Sequence, residues 1–358
     1  MADENKKALI AMSGGVDSSV AAYLMKSKGY RCIGATMKLF NGYVDDSANT
    51  CCSASDVEDA KSVSFKLEMP HYVFNFTDRF SELVIDKFAD AYEHGVTPNP
   101  CIDCNRFLKF EKLFSRAMEL KCDLVVTGHY ARVDYNKKSG RYELKKSADR
   151  LKDQTYVLYS LTQEQLAHTY FPLGAYEKKQ IRDIAENCGF INAKKHDSQD
   201  ICFVQNGKYS DFIEEYKNKH YPPGDFVDKN GNVLGQHNGI IRYTLGQRKG
   251  LGISYSHPLY VIGINPLDNT VILGDENDLY TDSLIANDVN LIAVDNLSSP
   301  LRVTAKVRYS QSEKPATAFC TDDGLLHVKF DEPQRAITKG QAVVLYDNDT
   351  VIGGGTII

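Results

Sequence analysis

Two patterns in this sequence bring together residues that could do chemistry. The first is SGGVDS at 13–18, where two glycines follow an apolar run and precede Val20 and Leu24 at helical spacing. Strand, tight turn and helix is the expected order. Gly14 and Gly15 let the backbone approach an anion with no Cβ in the way. Unpaired N–H groups and the dipole of the following helix supply positive potential there. Phosphate should therefore sit on this turn, although the lysine of the ordinary nucleotide loop, GxxxxGK[ST], is missing. The second pattern is sulfur. TPNPCIDCN at 97–105 sets Cys101 and Cys104 in a CxxC at the start of a helix expected over 106–120. The helix dipole there favours thiolate, the nucleophilic and metal-binding form. A third cysteine, Cys202, lies in the loop KKHDSQDICF at 194–203.

The elements that must position these groups follow from the apolar pattern. Runs at 8–12, 32–40 and 71–76 read as strands, and 56–68 and 80–92 as helices, with a polar loop at 41–50. Alternation of this kind predicts an α/β fold, a doubly wound parallel sheet that binds its ligand at the carboxyl ends of the strands. DLVVTGHYARV at 123–133 reads as a further buried strand running into a turn with Gly128 and His129, beside the nucleotide. The two prolines of TPNP exclude regular structure before 106. A helix is expected at 177–188. From about 209 the chain turns to glycine, tyrosine and short alternating runs, with a basic glycine-rich turn, TLGQRKGLG, at 244–252. Beyond about 275 the strands VTAKVRY, LHVKF, QAVVLY and TVIGG predict a closed or nearly closed β barrel. The expected domains are 1–208, nucleotide-binding; 209–274, small and α+β; and 275–358, the barrel.

A chain of 358 residues with 42% hydrophobic content can bury a sizeable core. It has no 18-residue apolar run, and its charged start, MADENKK, leads directly into the first strand. A soluble cytoplasmic protein without membrane contact is expected. Nine cysteines, an odd number, argue for thiols in a reducing compartment rather than a disulfide framework. A net charge of -5 weighs against indiscriminate nucleic-acid binding but leaves room for a local basic footprint.

SGGVDS resembles the pyrophosphate loop of ATP pyrophosphatases, which place AMP on an oxygen of their substrate. TPNPCIDCN, TGHYARV, KDQTYVLYSL, DSQDICF, YTLGQRKGLG, VRYSQ and GQAVVLY follow it in order. Together they resemble the tRNA-specific 2-thiouridylases of bacteria almost from end to end. The resemblance implies adenylation of the wobble uridine's C2 oxygen by ATP with Mg2+, then replacement of that oxygen by sulfur from a cysteine persulfide. An amide-like oxygen is a poor leaving group that AMP makes a good one.

By matching position, Ala11, Met12, Ser13, Gly14, Gly15, Val16, Asp17 and Ser18 would bind ATP, with Met37 and Gly128. Cys202 would carry the persulfide and Cys104 would release its sulfur through a disulfide. Asn99, Pro100 and Cys101 would meet the target base. His129, Lys152, Asp153, Gln154, Arg308, Tyr309 and Gln341 would contact tRNA. The partners implied are tRNAs for lysine, glutamate and glutamine and a sulfur-donor protein. In RVTAKVRY, alternation puts Arg302, Lys306 and Arg308 on one face, able to meet phosphate.

One departure matters: many family members carry aspartate where this chain has Cys101, so a base role for that carboxylate does not transfer. Cys101, Cys104 and Cys202 could instead ligate an iron–sulfur cluster with one open iron position, or zinc. Persulfide relay, cluster and plain buried thiols all stay open, and Cys51 and Cys52 read as structural thiols. Two rival activities remain: a pyrophosphate-loop ligase for a small amino-acid-like substrate, and a non-catalytic nucleotide-binding RNA module.

Overall fold

The computed structural model describes residues 6–40, 54–196, 201–204 and 208–358. The loop at 41–50, Cys51 and Cys52 lie outside the described residues. Strand β1 (Lys7–Ala11) pairs in parallel with β2 (Arg31–Lys38), and β3 (His71–Asn75) flanks β2. On the other side of β1 runs β4 (Leu124–Val126). The chain then makes a hairpin, β5 (Ala131–Asn136) and β6 (Arg141–Lys146), before β7 (Thr169–Tyr170) returns to pair with β4. The sheet order is β3-β2-β1-β4-β7, all parallel. Ala8, Leu9 and Ile10 of β1 are fully buried, as a central strand covered on both faces requires. Because β2 and β3 build outward on one side of β1 and β4 and β7 on the other, the switch point lies between β1 and β4.

Helices α1 (Val16–Ser27) and α2 (Ala54–Lys66) follow β1 and precede β3. The helix expected over 80–92 starts earlier. It runs as α3 through Thr77–Phe80, a wider-turned Ser81–Ile85 and Asp86–Glu93. The larger difference is at TPNP, where helix α4 begins at Pro100 and continues through Pro100–Asp103, Cys104–Lys112 and Leu113–Glu119. Proline is compatible with the first helical position because the N–H it lacks would have no intrahelical partner. Asn99 caps the start, its Oδ1 accepting the Cys101 N–H at 3.2 Å. Cys101 thus lies in the first turn and Cys104 one turn further in. The run 123–133 is a strand running into a turn, as expected: β4 ends at Val126, and after the turn the chain continues as β5, which leaves the parallel sheet.

After α5 (Lys178–Asn187) and α6 (Tyr209–Lys217) comes a four-stranded sheet of β8 (Gly224–Val227), β9 (Val233–His237), β10 (Tyr260–Asn265) and β11 (Thr270–Gly274). The remaining strands are β12 (Tyr280–Leu291), β13 (Leu301–Lys306), β14 (Lys314–Cys320), β15 (Leu326–Arg335), β16 (Ala342–Asp347) and β17 (Thr350–Ile357). They close on themselves through the β12–β17 pairing. The 131–146 hairpin joins this sheet, with Lys145 opposite Thr350. A hydrophobic cluster spans the junction, packing Tyr156, Leu158 and Leu166 with Ile292, Ala342, Val344 and Tyr346. Among the described residues no helix is long and apolar enough to cross a membrane.

Candidate active site

The carboxyl ends of β1, β2 and β4 enclose a cavity of about 530 Å³, of a size that suits a nucleotide. Ala11, Met12, Ser13, Gly15, Val16, Asp17 and Ser18 line it after β1, Met37 from β2 and Gly128 after β4. Gly14 shapes the turn: its φ is +73°, and a Cβ there would lie 2.3 Å from the Asp56 carbonyl oxygen. A Cβ on Gly128 would lie 2.8 Å from the Ser18 nitrogen, so the turn after β4 rests directly on the start of α1. The loop is braced by its own hydroxyls. Ser13 N–H donates to Ser18 Oγ at 3.2 Å, and the Ser18 and Ser19 hydroxyls each donate to the Gly15 carbonyl at 3.0 Å. No side chain caps α1 at Gly15, which leaves its first amides for an anion.

Three lysines, Lys109, Lys152 and Lys195, also line the cavity, with His196, Asp56, Thr127 and Tyr130. Of these Lys152 was expected, and Thr127 and Tyr130 flank the expected Gly128 and His129; Lys109, Lys195, His196 and Asp56 come from segments that meet only in the folded chain. The acids there are engaged by lysines. Asp17 accepts from Lys178 Nζ at 2.8 and 2.9 Å and from the Tyr130 hydroxyl at 2.8 Å. Lys195 bridges Asp56 and Asp59, at 2.7 Å each. Asn192, buried, donates to the Gly14 carbonyl at 2.8 Å and to Ser19 Oγ at 2.9 Å.

His129 lies in the wall of the cavity rather than on an open face. Its Nδ1 pairs with Thr127 Oγ1 at 2.6 Å, and Phe110 and Phe171 pack against the ring. Burial, helped by Lys109, holds its pKa well below the ordinary 6.5, so the ring is neutral. In the KDQ segment, Lys152 and Gln154 line the cavity. Gln154 zips this segment to the GHY turn, its Oε1 accepting the Tyr130 N–H and its own N–H donating to the Tyr130 carbonyl, both at 2.9 Å. Asp153 points inward, accepting from Ser147 N–H at 2.9 Å and from the Thr155 hydroxyl at 2.5 Å.

The cysteines sit beside the cavity, not in its wall. Cys101 is exposed, whereas Cys104 is buried in an apolar cluster with Leu108 and Phe203, against which Cys202 also packs. Among the described residues no three His, Cys, Asp or Glu side chains are grouped to hold a metal ion. The iron–sulfur and zinc alternatives for Cys101, Cys104 and Cys202 therefore lose their structural basis. Cys101 is exposed and Cys104 buried, although their spacing of three along the helix keeps them neighbours on one face. Asp103, between them, is pushed up to about 6 by burial, against the pull of Lys87 and Arg106.

The barrel contributes Tyr309 to the cavity wall. Burial raises its phenol, as do Asp153 and Cys101 nearby. The basic face expected on β13 is not an open phosphate stripe. Arg302 pairs with Asp331 at 2.7 and 2.8 Å, and Lys306 lies over the rings of Tyr156 and Tyr309. Arg308 and Gln341 both bond within the chain, through Nη2 to the Ala336 carbonyl and through Nε2 to the Thr97 carbonyl respectively.

A parallel sheet with an uncapped glycine turn at its switch point defines a nucleotide-binding protein, here with a barrel built against the site. Three family models match in succession: tRNA methyl transferase HUP domain over 6–206, tRNA methyl transferase PRC-barrel domain over 210–275, and aminomethyltransferase beta-barrel domain over 281–357. The tRNA-specific 2-thiouridylase MnmA of Clostridioides difficile (strain 630) is 53% identical over 354 residues, 99% of this chain and 98% of that one. Its counterpart in Clostridium kluyveri is 51% identical, over 98% of this chain and 99% of that one. The chain belongs to the tRNA-specific 2-thiouridylase family.

Proposed function

We propose that this chain is an ATP-dependent sulfurtransferase that converts the wobble uridine of certain tRNAs to 2-thiouridine in the cytoplasm. The observation that carries the reading is the match to 2-thiouridylases over 99% of the chain. ATP would lay its phosphates on the turn Ser13, Gly14, Gly15, Val16, Asp17 and Ser18. Its adenosine would rest against Met37 and Gly128, and Lys109 and Lys152 would offset the phosphate charge. Asp17 and Asp56 are both engaged by lysines, so Mg2+ would be held mainly by the phosphates, neutralising the departing pyrophosphate.

The uridine C2 oxygen attacks the α-phosphorus, pyrophosphate leaves, and the base carries AMP. The terminal sulfur of a Cys202 persulfide attacks C2 and AMP departs with the oxygen. Cys104 thiolate then attacks the Cys202 sulfur, which leaves the other sulfur on C2 and closes a disulfide that an external dithiol reduces. The apolar cluster shared by Cys104 and Cys202 supports this pairing. Asn99, Pro100 and Cys101 face the target base, with His129, Lys152, Gln154 and Tyr309 around it and Asp153 bracing the segment from inside. A sulfur-donor protein restores the persulfide.

Purified Cys202→Ser should still release pyrophosphate in a tRNA-dependent reaction yet make no thiouridine, and Cys104→Ser should fail after adenylation, with the tRNA held on Cys202 through the transferred sulfur. Normal thiouridine yield from either variant overturns the assignment. ATP cleavage by the wild type without any need for tRNA would favour a small-molecule ligase instead.

A further inference from the structure

The phosphate turn is held from behind as well as from within. Asn192, 3% exposed, lies in the short turn after α5 and does not line the cavity. Its Nδ2 donates to the Gly14 carbonyl at 2.8 Å and to Ser19 Oγ at 2.9 Å. Two hydrogens thus meet two acceptors; with the amide reversed, Oδ1 would face the Gly14 carbonyl, oxygen against oxygen. Oδ1 has no hydrogen-bond partner among the described residues, so Asn192 acts through its donors. Its flanks are anchored. Phe190 and Ala193 are buried in the cluster that contains Val16 and Val20 of α1, and Lys195 N–H donates to the Asn192 carbonyl at 2.9 Å.

A trans peptide points its C=O and its N–H in opposite directions. The peptide between Gly14 and Gly15 has no Cβ on either side to hinder its rotation, so an outside anchor is needed to fix which way its N–H points. Asn192 supplies that anchor by holding the Gly14 carbonyl, which turns the Gly15 N–H to the opposite side. The next peptide is fixed by relay. Ser19 Oγ accepts from Asn192 and donates to the Gly15 carbonyl at 3.0 Å, where Ser18 Oγ, at 3.0 Å, and Ser19 N–H, at 3.3 Å, also donate. That orients the Val16 N–H, and linked hydrogen bonds strengthen one another. Gly15 and Val16 both line the cavity. We infer that Asn192 is a positioning residue of the adenylation step: from behind the turn it aims the Gly15 and Val16 amides at the β- and γ-phosphates. The role requires that ATP bind at this turn, as proposed above.

Asn192→Leu keeps the size of the side chain and removes both donors. In competition with labelled ATP, inorganic pyrophosphate with Mg2+ should bind this variant about ten-fold or more weakly than it binds wild type, as expected when hydrogen bonds to a charged group are lost. Adenosine, which has no phosphate, should change by less than about three-fold. A site merely loosened would lose both ligands alike. Ser19→Ala, which removes only the relay, should show the same split to a smaller extent. Equal losses of pyrophosphate and adenosine, or no loss of either, would overturn the inference. Hydrogen exchange on the wild type needs no variant: saturating pyrophosphate with Mg2+ should protect the Gly15 and Val16 amides, and unchanged exchange there would also overturn it. Wild type that binds no ATP would sink the nucleotide reading and this role with it, whereas ATP and pyrophosphate binding that Asn192→Leu leaves intact would sink the role alone.

Discussion

His129 shows how a single residue changes meaning on folding. In the unfolded chain its imidazole takes a proton near about pH 6.5. In the folded chain burial between Phe110 and Phe171 keeps it neutral well below that. The unfolded state therefore binds more protons over this window, and stability, fully present above about pH 6.5, is lost as pH falls below it. Burial shifts His71 and His237 in the same direction, while Asp103, raised to about 6, has the opposite sign and is relieved as pH falls through that value. Comparing His129→Gln with wild type isolates the one group. From about pH 7 to about pH 5 the variant's urea midpoint should fall less steeply, by up to about 1.4 kcal/mol per pH unit in free energy. Parallel curves would mean that the folded protein protonates His129 readily. A neutral ring also confines its part at the site to hydrogen bonding, with no charge to offer a phosphate.

Among the elements, the hairpin β5–β6 is the piece that ties the nucleotide-binding sheet to the barrel. Its ladder contact with β17 is short, and side chains extend it. Asp349 accepts from Arg150 Nη2 at 2.7 and 2.8 Å and from Arg132 Nη2 at 3.3 Å, while Lys146 N–H donates to the Asp349 carbonyl at 2.9 Å. The carboxylate is 44% exposed, so solvent screens it. Asp349→Ala should cost about 1 kcal/mol at low salt and less at high salt, measured by chemical denaturation. An equal loss at both ionic strengths would show that packing, not charge, holds the hairpin.

For the whole molecule, we propose the division 1–208, 209–274 and 275–358, with a core that does not respect its last boundary. The cluster around Tyr156 takes Ile292, Ala342, Val344, Tyr346 and Val351 from the barrel, and the Tyr156 hydroxyl donates to the Ala342 carbonyl at 2.8 Å. A fragment of residues 1–274 would expose that apolar surface. It should aggregate, or melt well below the full chain by calorimetry. A soluble fragment with the full chain's melting temperature would show that the barrel is an independent module.

Local chemistry was readable in advance where one segment contains the whole argument. The apolar run, the glycine pair and the following amphipathic run are enough to specify strand, turn and helix at 7–27, because burial on both faces and the need for positive φ at Gly14 act within a few residues. The barrel was readable too, since alternation on each strand reports which side faces inward. Pro100 misled because the same ring that breaks a helix interior is well suited to its first position, and the cap from Asn99 decides between the two. Folding alone brought Lys109 and Lys195 to the cavity, closed Asp17 onto Lys178, and turned Gln341 onto Thr97. Each of these depends on segments far apart in the chain, whose approach is set by the packing of whole elements and leaves no periodicity in either segment.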